Sequence, residues 1–145
     1  LLTGQTSNCP TNTTTTIESQ TDAEALSVCS TIGPLVISPS LSGTLDLSAG
    51  GPYTIDGDLT ISNATGLISF ISSVTSISGS LILANLPNLI FADFRNLVSI
   101  GDGPAGGGLI VAQSYLDSGA AVDQLHFPAL SLVQGDVILQ GNFSK

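Results

Sequence analysis

One short phrase returns five times along the chain, a glycine-marked turn followed by alternating apolar residues. Its copies are Gly33-Pro34-Leu35-Val36-Ile37-Ser38, Gly57-Asp58-Leu59-Thr60-Ile61-Ser62, Gly79-Ser80-Leu81-Ile82-Leu83-Ala84, Gly107-Gly108-Leu109-Ile110-Val111-Ala112 and Gly135-Asp136-Val137-Ile138-Leu139-Gln140. The equivalent apolar positions 35, 59, 81, 109 and 137 are 24, 22, 28 and 28 residues apart. A motif recurring every 20 to 50 residues or so marks a solenoid. One such unit cannot bury its own inner face. Stacked units can, with parallel strands about 4.8 Å apart.

A second ladder, spaced by three, leads into each glycine: Leu26/Cys29/Ile32, Ile71/Val74/Ile77, Phe94/Leu97/Ile100 and Phe127/Leu130/Val133. Residues 41–55 fill the corresponding place in one coil but keep the pattern poorly. The glycines are expected at tight corners, often with positive φ. In the strands, Leu59/Ile61, Leu81/Leu83, Leu109/Val111 and Val137/Leu139 should point inward. Thr60, Ile82, Ile110 and Ile138 should then form an outward column, apolar enough to call for a cover. No helical pattern of about 10–15 residues separates the strands, which excludes an ordinary α/β fold. A β-sandwich would require only alternation, whereas here the motif itself returns. The expected class is therefore all-β, a parallel β-helix of about five coils.

The ends of such a coil need caps. Thr21-Asp22-Ala23-Glu24 fits a capping box, with Thr21 at the N-cap and Glu24 three residues on. This predicts a short helix over 21–28 with Ala25, Leu26 and Cys29 as its apolar face. Before it, residues 1–20 read as a polar arm, either a tail or a strand pinned to the coil, with residues 21–145 forming the repeat domain. After Leu139 no cap follows. The repeat domain is accordingly expected to be truncated there, continued by further coils or covered by another chain. Residues 101–107 form a loop by composition, and residues 112–125 lengthen their coil.

The chain has two cysteines, Cys9 and Cys29. A bridge between them would close a loop of about 20 residues, worth about 3 kcal/mol in the chain-entropy model. The alternative is two unrelated buried thiols. Three N-glycosylation sequons begin at Asn12, Asn63 and Asn142. Together with a disulfide they favour an extracellular location.

Among 145 residues only Arg95 and Lys145 are basic, against eleven acidic ones, for a formal charge of −9. That charge excludes a nucleic-acid partner, because nothing could neutralise a run of phosphates. It also disfavours anionic membrane surfaces. No apolar stretch approaches the roughly 20 residues of a membrane span. At 42% hydrophobic, the chain is no acidic disordered tail.

A polysaccharide-cleaving coil would need facing carboxylates. Asp56 and Asp58, with Asp136 further along, are the candidates, but aspartate is first of all a turn residue. Asp93 and Asp102 neighbour loops without forming a calcium-loop motif. His126, the single histidine, has no zinc-type spacing around it and reads as a surface or partly packed residue. An ice-binding face would need regular outward threonine columns, which the isoleucines interrupt. No catalytic, cofactor or metal residues are expected.

The runs Cys29-Ser30-Thr31-Ile32-Gly33, Ile77-Ser78-Gly79-Ser80-Leu81, Leu86-Pro87-Asn88-Leu89, Phe127-Pro128-Ala129-Leu130 and Gly141-Asn142-Phe143 resemble, in their order, the fungal cell-wall-organisation proteins. The resemblance covers most of residues 9 to 144. It implies a right-handed β-helix like the ligand-binding L domains of insulin- and EGF-type receptors. It also implies a secreted, glycosylated, GPI-anchored surface protein acting in wall integrity, with no catalytic residues to transfer. Members usually carry more coils, a second cysteine pair, a Ser/Thr-rich stalk and an anchor signal, none of which occurs in these 145 residues. The expected function is thus a non-catalytic cell-wall or cell-surface glycoprotein. The alternatives are an extracellular module binding a peptide or polysaccharide, and a structural subunit self-associating through its C-terminal coil.

Overall fold

The computed structural model describes residues 9–112 and 124–140. The expected insertion at 112–125 falls largely outside the described residues, as does Asn142. Every strand pairing is parallel, and the strands form three sheets that the chain visits in turn. The first coil holds β1 (Thr15–Ile17), α1 (Gln20–Ala25) and β2 (Thr31–Ile32). The second holds β3 (Leu35–Ile37), β4 (Ser42–Leu47) and β5 (Tyr53–Ile55), and the third β6 (Leu59–Ser62), β7 (Gly66–Ser72) and β8 (Val74–Ile77). The fourth holds β9 (Leu81–Ala84), β10 (Phe91–Asp93) and β11 (Ser99–Ile100). The fifth holds β12 (Leu109–Ala112), β13 (Gln124–His126) and β14 (Leu132–Val133), and β15 (Val137–Gln140) starts the next. The chain is an all-parallel β-solenoid of about five coils with a helical element at its N-terminal end.

The sheets stack in the order β1-β3-β6-β9-β12-β15, β4-β7-β10-β13 and β2-β5-β8-β11-β14. In the first, Leu35, Leu59, Leu81, Leu109 and Val137 share one column and Ile37, Ile61, Leu83, Val111 and Leu139 another. These are the positions the repeat predicts. From Leu35 to Val111 both columns are buried, because each inward side chain has a counterpart on either neighbouring coil. Val36, Thr60, Ile82, Ile110 and Ile138 form the outward column, half-buried up to Ile110.

The second ladder holds for Leu97 and Ile100, and for Val74 and Ile77, all fully buried. It fails at Ile71, which pairs with both Asp46 and Asp93 and is only half-buried. Phe70 takes the inward place instead. It packs 5.4 Å from Phe94, whose ring stacks at 5.1 Å on Phe127, so aromatic rings from three coils run along the interior.

The corner glycines earn their place by close approach more than by dihedral angle. A Cβ on Gly79 would strike the Gly57 backbone, one on Gly107 the Gly79 backbone, and one on Gly135 the Gly107 backbone. Of these four, only Gly57 and Gly107 have positive φ, at 137° and 156°. The expected positive φ is thus met at two of the four, and the constraint they have in common is the lack of space between successive coils.

The N-terminal cap also differs in detail from the predicted one. The helix begins at Gln20, and Ser19, not Thr21, is its N-cap, its Oγ accepting the Asp22 N–H at 3.3 Å. Asp22 in turn accepts the N–H of Glu18, one residue ahead of the cap, at 2.9 Å, a variant of the capping box in which Glu24 has no part. Residues 26–28 form turns, and Ala23 rather than Ala25 is buried. The register slips by two because a serine sits two positions ahead of Thr21 with an acid three residues beyond it.

In the first coil α1 stands where later coils place a strand of the second sheet. The Gln20 carboxamide completes the substitution. Its Nε2 donates to the Asp46 carbonyl at 2.9 Å and its Oε1 accepts the Asp46 N–H at 2.9 Å. One side chain thereby satisfies both backbone groups of a β4 residue that would otherwise face an open sheet edge. Cys9 and Cys29 form a disulfide that ties the N-terminal arm to this cap. The arm joins the solenoid from Thr15, where β1 pairs with β3, and Ile17 is fully buried.

Candidate functional site

Of the carboxylates singled out in the sequence, Asp56 and Asp58 serve the joints between coils. Asp58 Oδ1 accepts the Ser80 N–H at 2.8 Å, and Asp56 Oδ1 accepts the Ser78 hydroxyl at 3.1 Å. Ser78 Oγ also receives the Gly57 N–H at 2.8 Å, which closes the corner. Asp136 lies three coils from Asp58, roughly 14 Å at a parallel-strand spacing of about 4.8 Å. That exceeds the roughly 5 to 9.5 Å between the carboxyl groups of a glycosidase. Asp102 accepts the Ser99 hydroxyl at 2.9 Å. Among the described residues, no group of three or more His, Cys, Asp and Glu could hold a metal ion. No helix among them is long and apolar enough to cross a membrane.

Of the sequon asparagines, Asn12 is exposed beside the disulfide. Asn63 is exposed at a corner with φ 60°, and its Oδ1 accepts from Asn85 Nδ2 at 2.8 Å. Its own Nδ2, the atom a glycan would take, has no hydrogen-bond partner among the described residues.

The solenoid assembles a polar cluster that the sequence reading left as separate residues. In the second sheet Asp46, Ile71, Asp93 and His126 share one column across four coils. Asp93 is 1% exposed. Its Oδ2 accepts from Arg95 Nε at 2.8 Å and from Arg95 Nη2, forming an ion pair. Its Oδ1 is buried without a hydrogen-bond partner, and His126 Nδ1 on the next coil stands 3.8 Å away. The hydrogen bonds and charge of Asp93 raise the Arg95 pKa, holding the guanidinium protonated. Positions 93 and 126 are separated by one coil, so the period itself was the signal that could have joined them.

Beside this cluster lies a groove of about 400 Å³. Its origin is the unequal length of three successive corners between the second and third sheets. Residues 48–52 and 94–98 make long corners, whereas residue 73 alone joins β7 to β8. The short corner is recessed between the two long ones. Its floor is Ile71, Ser72 and Ser73, with Ser48 and Pro52 on one side and Arg95 and Asn96 on the other. Ser73 donates to the Gly51 carbonyl, and Asp46 Oδ1 fixes Ser48 through its N–H at 2.8 Å and its hydroxyl. Beneath the floor, Tyr53 bonds Ser72 at 2.7 Å. Burial pushes the Tyr53 phenol up to about 12, the Ser72 bond opposing and Asp46 adding to the shift. A second recess, under α1, is apolar and only about 10 Å³, too small to seat more than a single water.

Comparison with protein-family models, with curated proteins and with solved structures finds no match for the chain.

Proposed function

We propose that the chain is a non-catalytic, secreted or cell-surface glycoprotein that contributes to fungal cell-wall organisation. The observation that carries the reading is the cap. A disulfide between Cys9 and Cys29 closes the N-terminal end of the solenoid, with the Asn12 sequon exposed beside it. Disulfides of this kind persist in oxidising compartments. Asp56, Asp58 and Asp102 act in coil-to-coil or turn bonds, which accords with a scaffold rather than a reaction centre. The resemblance of the repeat phrases to the fungal wall proteins supplies the rest of the proposal: a right-handed coil like the receptor L domains, and a GPI anchor on the surface-bound form.

Expression through a eukaryotic secretory pathway, followed by intact mass before and after enzymatic deglycosylation, tests the proposal. The expected product is secreted, carries glycan at Asn12 or Asn63, and has no titratable thiol. An unglycosylated protein with reduced cysteines, confined to the cytosol of its native cell, would overturn it.

A second reading, self-association through the last coil, is favoured by the 55% and 54% exposure of Val137 and Leu139. Light scattering across a concentration series should then show growth that Val137→Asp with Leu139→Asp abolishes. A strict monomer at the highest concentration would remove it.

A further inference from the structure

We infer that the recessed corner around Ile71 is a binding site for a short neutral saccharide. The groove of about 400 Å³ falls within the roughly 300–1,000 Å³ usual for small-molecule sites. Its chemistry narrows the occupant. Ile71 and Pro52 provide aliphatic surface of the kind the C–H face of a sugar ring packs against. Around that surface stand unspent polar groups. Asp46 uses Oδ1 on Ser48 and keeps Oδ2, Arg95 uses Nε and Nη2 on Asp93 and keeps Nη1, and Asn96 keeps both ends of its carboxamide. Acceptor, donor and mixed groups around one aliphatic floor match the hydroxyls of a sugar, each of which both donates and accepts.

The same inventory disfavours other ligands. Asp46 and Asp93 outweigh Arg95, so an anion such as phosphate meets net negative charge. A single lining carboxylate, Asp46, is too few for a bare cation. A strand-forming peptide would need a sheet edge and a polyproline peptide an aromatic-lined groove, whereas this groove is bounded by turns and lined by no aromatic residue. Nothing aromatic lines it, so the expected dissociation constant is weak, on the order of 1 mM.

The inference concerns the isolated solenoid and stands apart from where the protein resides, so failure of the secretion test would leave it intact, and its own failure would leave the glycoprotein reading intact. Ligand-observed NMR on the disulfide-bonded protein would use tetrasaccharides of glucose, mannose and N-acetylglucosamine, with inorganic phosphate as the counter-probe. At least one tetrasaccharide should bind. Asn96→Trp, which fills the groove from an exposed position, should abolish binding without moving the unfolding midpoint. Asp46→Asn, which keeps the Ser48 turn, should weaken binding about fivefold or more. Thr16→Trp, exposed on the first sheet, should change nothing. No saccharide binding, binding that survives Asn96→Trp, or binding of phosphate in preference would each overturn the site.

Discussion

Leu81 and Val137 occupy the same column of the same sheet, two coils apart, yet one is fully buried and the other 55% exposed. Leu83 and Leu139 differ in the same way. The residue types are equivalent, and so is the local strand. What differs is the company, since in a solenoid each coil receives half of its burial from the coil before it and half from the coil after it. The N-terminal coil obtains its outer half from an arm, a helix and a disulfide. β15 has no partner strand on its outer side among the described residues. Stability in this molecule is therefore a property of the interfaces between coils.

The widest separation is expected between Phe94→Ala and Leu139→Ala. Phe94 is fully buried between two rings on neighbouring coils, and truncating it should cost about 3–5 kcal/mol. Leu139→Ala should cost no more than about 0.5 kcal/mol, as at other exposed positions. Urea midpoints at matched slope would measure both. Equal losses would mean that the last coil is as well supported as the fourth.

At the capped end, replacing Cys9 and Cys29 together by serine should cost about 3 kcal/mol. Hydrogen exchange should show that loss concentrated in β1, α1 and β2, and a uniform loss would deny the cap its local role. Alkaline titration probes the interior just beneath it. The folded Tyr53 titrates near 12 against an ordinary 10, so the unfolded chain binds fewer protons between those values and stability falls as pH rises from 10 to 12. The expected loss is about 3 kcal/mol, absent from Tyr53→Phe. The smallest effect separates two serine-or-threonine positions in the helix cap. Ser19→Ala should cost about 1 kcal/mol, and Thr21→Ala should be close to neutral, as read by thermal unfolding.

Much of the architecture was legible because the repeat carries both its period and its inward positions. Leu35, Leu59, Leu81, Leu109 and Val137 align as read. The errors arise where a corner changes length. Ile71 was placed inside because its spacing to Val74 copies that of Phe94 to Leu97. The one-residue corner at Ser73 instead turns Ile71 outward and Phe70 inward. The groove was hidden for the same reason, since a recess is a difference between neighbouring corners and belongs to no motif. Asp93 and His126 each looked solitary in the chain, and only the stacking of coils sets them together. The helix start was misplaced because Thr21-x-x-Glu24 and Ser19-x-x-Asp22 are overlapping caps of similar strength, and the Gln20 bridge to Asp46 accompanies the earlier start.

The glycine column at positions 57, 79, 107 and 135 works like the spine of a book whose pages are cut to unequal widths. Repeat lengths of 22 and 28 residues remain in register because every coil is bound along that one edge, where no side chain fits between the leaves. Five extra residues emerge at this very corner, where Ile100 to Leu109 spans what Ile77 to Leu81 spans in the coil before, and they loop out ahead of Gly107, which still abuts Gly79. New surface features can evolve there one coil at a time, without disturbing the binding that holds the stack together.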